Sequence, residues 1–364
     1  MNTGISFFTL RVSFFRSAIS LRVCCLIIAG FFSIPAFAQD PHFSLFNSQP
    51  LYYNPASTGT DADVRVNLSY KNQWGVVTSP FHTYALNADV KFKQNHWKPV
   101  AGRTILEKIK NNAGIGISMV RDVAGDLNYG TTLGSITLGS GIFLDRENSL
   151  SIGIGGGFGQ RSYDPTSIDW GNSGSNGDNA YVDRRMHWDA SAGVLWKYGR
   201  GETFITANNE FKAQAGLAIH HVNAPRYGLD EVLNDRMYWK WVVHGGFVKG
   251  IKSTKLSFAP MGLFSLQGPS KEIIFGSQVK YRLKEASHFT GFIKEASLYA
   301  GLFNRVKDAM ILQFGIESGQ WAVGFAYDAN ISSLAPASKS IGGFEFSIRF
   351  MTPSPFLYMV SKKL

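Results

Sequence analysis

From Asp63 to Tyr70 the chain alternates strictly. Val64, Val66, Leu68 and Tyr70 hold one parity, and Asp63, Arg65, Asn67 and Ser69 hold the other. Successive side chains of a strand point to opposite faces, so this pattern describes a strand with one greasy face and one wet face. It recurs with Tyr84, Leu86, Ala88, Val90 and Phe92 against Thr83, Asn87, Asp89, Lys91 and Lys93. Ile273, Phe275, Val279, Tyr281 and Leu283 stand against Glu272, Gln278, Lys280 and Arg282, and Phe344, Phe346, Ile348 and Phe350 against Glu345, Ser347 and Arg349. Continued along the chain, the reading gives about 14 strands, at 62–70, 81–93, 113–123, 130–144, 149–162, 187–199, 213–223, 237–250, 255–265, 271–284, 297–306, 309–318, 321–330 and 341–350.

A β-sandwich uses one-sided alternation too, but no linker-like stretch divides this chain. A closed barrel filled by its own wall has about eight strands. With about 14 the interior is too wide for that, so the polar faces line it and the apolar faces meet lipid. The expected fold is an all-β, antiparallel transmembrane barrel of the outer-membrane kind with a polar lumen. Most segments reach the roughly 9 to 11 residues that a tilted strand needs to cross a bilayer. Mean hydropathy near zero (−0.05) beside 28 Phe, 14 Tyr and 8 Trp fits such half-wet strands.

The first residues carry Arg11, Arg16 and Arg22 without an acid, then an apolar stretch from Val23 to Phe37 ending in Ala36-Phe37-Ala38. This predicts a cleavable secretory signal, residues 1–38, with cleavage before Gln39. Cys24 and Cys25, the two cysteines of the chain, would leave with it, so the mature protein would have no thiol chemistry. Loss of the three arginines leaves 33 basic against 26 acidic residues. They are spread along the chain, without the basic runs that nucleic acid would require.

Connection lengths suggest an orientation. With the N-terminus periplasmic, the short turns Asp145–Asn148, Lys252–Thr254 and Gly319–Gln320 face the periplasm, and the longer 163–186, 224–236 and 331–340 face outward. The expected division is a periplasmic N-terminal segment at 39–61, a barrel at 62–350 and a periplasmic tail at 351–364. The long connection 94–112 is the misfit, read as a periplasmic excursion with a helical turn or two near Arg103–Lys110. The aromatic-rich Asp40–Gly59, with its Asn54-Pro55 turn, could dock a partner, enter the barrel or cover its lower rim.

Three stretches carry a family resemblance. The first holds Gln39, Asp40, Pro41, His42, Phe43 and Ser44, then Tyr53, Asn54, Pro55, Ala56 and Gly59. The second runs through Tyr70, Lys71, Asn72, Gln73 and Trp74 to Pro80, Phe81, Thr83 and Tyr84. The third has Arg305, Asp308 and Ala309, then Tyr327, Asp328, Asn330, Ser332, Ser333, Leu334, Gly342, Gly343, Phe344 and Glu345. In this order they resemble the PorP/SprF family of type IX secretion system membrane proteins of Bacteroidetes. The resemblance implies an outer-membrane barrel that works with type IX export components. Some such members belong to the machine, and others help one large secreted or adhesin-like cargo protein to reach or stay on the cell surface. Contact with partners is expected through Asp40, Pro41, Phe43, Asn54, Pro55, Asn72, Gln73, Trp74, Arg305, Asp308, Tyr327, Asp328, Ser333, Leu334 and Glu345. The 94–112 connection and the tail after Phe350 depart from the family picture.

Other signals are weak. Asp164, Asp169 and Asp178 lack the spacing of a calcium loop. Adjacent His220 and His221 would face opposite sides of a strand and could not share a metal. Gly153, Gly155, Gly156, Gly157 and Gly159 match no nucleotide-binding fingerprint and read as strand glycines that ease curvature. No nucleophile elbow is present. The chain therefore reads as a non-enzymatic barrel without cofactor or metal, in contact with outer-membrane lipid, with a passive porin as the competing function. Phe344, Phe346 and Phe350 on the last strand resemble a barrel-insertion signal, and also suit plain lipid-facing alternation.

Overall fold

A computed structural model describes residues 40–75, 80–93, 99–100, 103–104, 111–125, 129–145, 147–163, 183–200, 208–227, 236–284, 296–332 and 340–352. The predicted signal, the acidic loop 164–179, Ser333, Leu334, most of 94–112 and the tail beyond Thr352 lie outside these residues.

Fourteen strands close into one antiparallel barrel. They are β1 (Val64–Gln73), β2 (Phe81–Lys93), β5 (Asn111–Ala124), β6 (Tyr129–Phe143), β7 (Asn148–Tyr163), β8 (Asp183–Arg200), β9 (Phe211–His220), β10 (Lys240–Gly250), β11 (Leu256–Gln267), β12 (Ser270–Lys284), β13 (Ala296–Arg305), β14 (Ala309–Ser318), β15 (Trp321–Asn330) and β16 (Ile341–Met351). Each pairs with its sequence neighbours, and β16 closes on β1 with Ser69 opposite Ser347 and Lys71 opposite Glu345. All fourteen fall on the expected segments. The remaining two, β3 (Pro99–Val100) and β4 (Arg103–Thr104), form a separate two-stranded pair. The helical turn or two expected near Arg103–Lys110 falls mostly outside the described residues; of that stretch, Arg103–Thr104 is strand.

The alternation sorts inside from outside. Leu68, Tyr84, Val90, Ile117, Ile136, Ile154, Leu302, Phe314 and Phe325 are exposed on the outer face, while Arg65, Asn67, Asn87, Asp89, Gln313, Asp328 and Glu345 are buried in the wall's inner face. An apolar surface of this extent is untenable in water and is the lipid face of a transmembrane barrel. Aromatic clusters mark both edges of this belt. Tyr198, Phe211 and Phe247 form a chain with ring centroids 5.7 Å apart, and Trp321 meets Phe350 at 4.9 Å; near the other edge Tyr70 meets Tyr84 at 5.2 Å and Phe344 at 6.0 Å.

The end where β1 begins and β16 finishes is here called the base, and the opposite end the crown. The base holds the short turns 144–147, 251–255 and 319–320, but also 201–210 and 285–295. The crown holds the two longest connections, 164–182 and 221–239, together with the tight turns 268–269 and 306–308, while 94–110 lies at the base. Length alone therefore separates the two ends less cleanly than the sequence suggested. β9 stops at His220, short of the expected 223, because His221 takes a positive φ of 59° that a strand cannot continue.

Candidate functional site: the occupied lumen

The segment before β1 lies inside the barrel. It folds as three small turns: a 3-10 turn at Phe46–Ser48, one α-turn at Pro50–Tyr53 and a 3-10 turn at Pro55–Ser57. Pro50 and Pro55 sit at first helical positions, where a fixed φ helps and the missing N–H costs nothing. Between them Asn54 is extended, and its side chain accepts from Ala56 N at 2.9 Å to cap the last turn. No stretch here is long enough to show a period, which is why the sequence left its place open.

Phe43, Leu45, Phe46 and Tyr53 pack on Val242, Leu263, Ile274, Phe303, Ile311 and other inward wall residues, with Phe46 edge-on to Phe303 at 6.0 Å. Among the described residues the plug thus covers an apolar patch in a wall that also carries many buried polar groups. Fully burying a Phe or Leu contributes about 1.5–3 kcal/mol each.

The polar contacts cluster at three heights. Near the crown, Ser44 N–H donates to Glu345 Oε2 (2.6 Å) and its hydroxyl donates to Asp328 Oδ2 (2.7 Å). Arg305 Nη2 donates to that same hydroxyl (2.8 Å), and Gln313 Nε2 donates to Ser44 O (2.8 Å). Arg305 is itself held by Asp328 and Asp308, each at 3.0 Å. Lys71 Nζ donates to His42 O (3.0 Å), Tyr52 OH donates to Pro41 O (2.6 Å), and Phe43 N–H donates to Tyr53 OH (3.1 Å). At mid-height, Gln49 Nε2 donates to Ser69 Oγ (2.6 Å) and Asn87 donates to Gln49 Oε1, while Ser48 and Ser347 hydroxyls meet at 3.3 Å. Asn54 Nδ2 donates to Val194 O (3.0 Å) and lies 3.1 Å from His244 Nε2. Toward the base, Thr58 meets Thr137 (2.7 Å), Gly59 N–H donates to Asp89 Oδ2 (2.8 Å), and Arg65 bridges Asp89 (2.7 Å) to Ser57 O (2.9 Å). Asp61 pairs with Arg65 and Lys197. Four buried wall charges thus meet peptide groups of the plug: Glu345 meets Ser44 N–H, Asp89 meets Gly59 N–H, Arg65 meets Ser57 O and Lys71 meets His42 O.

Close approach is made possible by glycine. Gly114, Gly139, Gly153 and Gly193 are direct register partners across β5, β6, β7 and β8. The plug from Asn54 to Gly59 lies on this row. A Cβ at Gly153 would overlap Pro55 and Ala56, one at Gly139 would meet Thr58, one at Gly193 would overlap Asn54, and one at Gly114 would come within 2.7 Å of Gly59 Cα. Curvature does not explain Gly153. Gly155 and Gly159 instead leave room for Ser191 and the His187 ring, and Gly156 has open space around it.

Burial, reinforced by Lys71, Arg305 and Lys240, holds the His42 imidazole well below its ordinary 6.5. Burial and Glu272 push the Tyr53 phenol well above its ordinary value. Burial alone would raise Asp61, but Lys197 and Arg65 outweigh it and hold the carboxyl well below the usual carboxylate range. Water screens part of that effect, since Asp61 is partly exposed.

Of the residues singled out from sequence, Pro41, Phe43, Asn54, Pro55, Arg305, Asp308, Asp328 and Glu345 converge in the lumen, with Asp40 at the head of the plug. Asn72, Gln73 and Trp74 stand apart at the crown end of β1, where Trp74 N–H donates to Gly342 O (2.7 Å) and its ring meets Phe81 at 4.9 Å. Tyr327 is on the outer parity of β15, and Phe344, Phe346 and Phe350 on that of β16. His220 Nε2 lies 3.1 Å from Tyr53 O and His221 Nδ1 3.0 Å from Asp189, so the two rings serve different partners. Sequence reasoning missed Gln49, Arg65, Asp89, Gln313 and the glycine row. Inward-facing glycines on neighbouring strands were the available signal.

Closed strand order, apolar belt and filled lumen define an outer-membrane β-barrel whose bore is occupied by its own N-terminal segment. The chain belongs to the family described as type IX secretion system membrane protein PorP/SprF, whose profile matches residues 36–350. No curated protein matches it. Among solved structures it is similar to the β domain of the Bordetella autotransporter BrkA (10% identity, TM-score 0.41, 80% of this chain and 100% of that one). It is also similar to a Pseudomonas aeruginosa FadL homologue (11% identity, TM-score 0.39, 81% and 91%). A third is BamA from Haemophilus ducreyi lacking POTRA domains 1–3 (10% identity, TM-score 0.38, 79% and 70%).

Proposed function

We propose that this barrel acts without catalysis, as a docking component of type IX export that binds the secretion machinery or one secreted, adhesin-like cargo through its rims. The observation that carries the reading is the plug. A passive porin needs an open aqueous bore, whereas here Pro41–Thr60 crosses the lumen and is tied to the wall at three heights. Family membership supplies the secretion context. The base is read as periplasmic because the two longest connections leave from the crown, and the even strand number returns both barrel termini to the base. Residues 1–38 are read as the cleaved signal, 62–350 as the barrel and 351–364 as a periplasmic tail, with lipid around the belt.

The test is affinity isolation of the tagged barrel from outer membranes with mass spectrometry, beside planar-bilayer conductance of the purified protein. Recovery of type IX components or a large secreted protein, with negligible conductance, is the expected result. Substantial conductance together with normal secretion in a deletion strain would return the porin to first place.

A further inference from the structure

The two ends of the plug sit at opposite ends of the barrel. Its C-terminal end leaves at the base, where Asp61 pairs with Lys197 near the end of β8 and Val64 N–H donates to Thr352 Oγ1 at 2.8 Å. Its N-terminal end is held at the crown. Ser44 is gripped by Arg305, the last residue of β13, by Asp328, two positions before the end of β15, and by Glu345 near the start of β16. Lys71, two positions before the end of β1, holds His42 O. Lys240, the first residue of β10, donates to Tyr52 OH (3.3 Å), which in turn donates to Pro41 O. All five wall residues stand at crown ends of their strands, so the chain enters β1 only after traversing the lumen from crown to base.

We propose that the amino terminus created by cleavage before Gln39 opens at the crown mouth, on the face that carries the 164–182 and 221–239 connections, and forms part of the surface presented there. The sequence reading placed this terminus with the base. Two consequences follow from chain geometry. A partner on the crown side can grip the head of the plug directly. Anything still attached ahead of residue 39 has to pass out through the crown, because a closed wall cannot be threaded afterwards.

Both cysteines of the chain lie ahead of the cleavage position, which makes cysteine labelling clean. A short Gly/Ser extension with one cysteine is inserted between Ala38 and Gln39, and compared with Lys307→Cys at an exposed crown turn and Ser253→Cys at an exposed base turn. Each is treated with a membrane-impermeant maleimide in intact and in permeabilised cells, and barrel formation is checked by heat-modifiable gel mobility. The extension is expected to react in intact cells, as Lys307→Cys does, whereas Ser253→Cys is expected to react only after permeabilisation. Reaction only after permeabilisation, as for Ser253→Cys, or no reaction in either preparation overturns the proposal. If the extended chain does not assemble, Pro41→Cys without extension is read by the same criteria. Ser48→Cys with Ser347→Cys, whose hydroxyls are 3.3 Å apart, tests separately whether the plug is lodged in the lumen. Its oxidised cross-link is expected, and its absence would remove both the proposal and the plugged state on which the docking role rests.

Discussion

Ser44 shows how little side chain is needed to fix the plug. Its hydroxyl links Asp328 to Arg305, and its two peptide groups meet Glu345 and Gln313. Ser44→Ala leaves the Arg305–Asp328 pair intact and removes one shared hydroxyl, so plug docking is expected to weaken by about 1–3 kcal/mol, read as increased protease cleavage within 40–60. Arg305→Met is harsher. It strands Asp328 and Glu272 inside the wall, at a cost of about 3–5 kcal/mol in urea unfolding from lipid vesicles. Acidity acts on two plug residues with the same sign. His42 has its pKa depressed in place, so below 6.5 an undocked imidazole takes a proton that the docked one refuses, and docking weakens as pH falls. Asp61, also depressed, adds stability above the ordinary carboxylate pKa that is lost as pH falls through its folded value. Protease sensitivity of the plug is thus expected to rise on acidification below about pH 6.5, with His42→Gln removing the first part of that rise. Arg305, Asp328 and Glu345 could be suspected as contact residues from their family motifs. Their meeting at Ser44 could not, since nothing local in a chain reports contact across hundreds of residues.

The strands were legible because a period of two is a strong and repeated signal wherever one face is wet and the other greasy. Their ends were less so. At His221 a positive φ ends β9 inside a stretch that still reads as strand. The plug was illegible as an element because its three turns are each no longer than four residues, below any helical period. The glycine row ties the two kinds of element together. Gly153→Ala is expected to push Pro55–Ala56 off β7 and raise bilayer conductance, whereas Gly156→Ala, which meets open space, should leave conductance unchanged. On β16, Phe350→Ala removes the ring contact with Trp321, and is expected to lower the yield of assembled barrel if that strand carries the insertion signal. Unaltered yield in heat-modifiability assays would leave the aromatics as lipid contacts alone.

Taken whole, the molecule is a wide barrel made narrow from within. Fourteen strands enclose more space than wall side chains can fill, and the polar inward faces were legible from alternation for that reason. What filled the remainder had to be seen in three dimensions. Deletion of 40–60 is expected to leave a foldable but conducting barrel, measured as stable open channels in planar bilayers. The same plug sets the order of events in folding. Ser44 meets Glu345 across a separation of 301 residues, so the head of the plug waits for the last strand. Contacts of such range form slowly because a long loop must close before they give anything back. The segment that precedes every strand is therefore the last to find its place, and a chain truncated before β16 should keep residues 40–60 open to protease however much of the remaining wall has formed. Periplasmic holding factors would then guard the plug, rather than the strands, for longest.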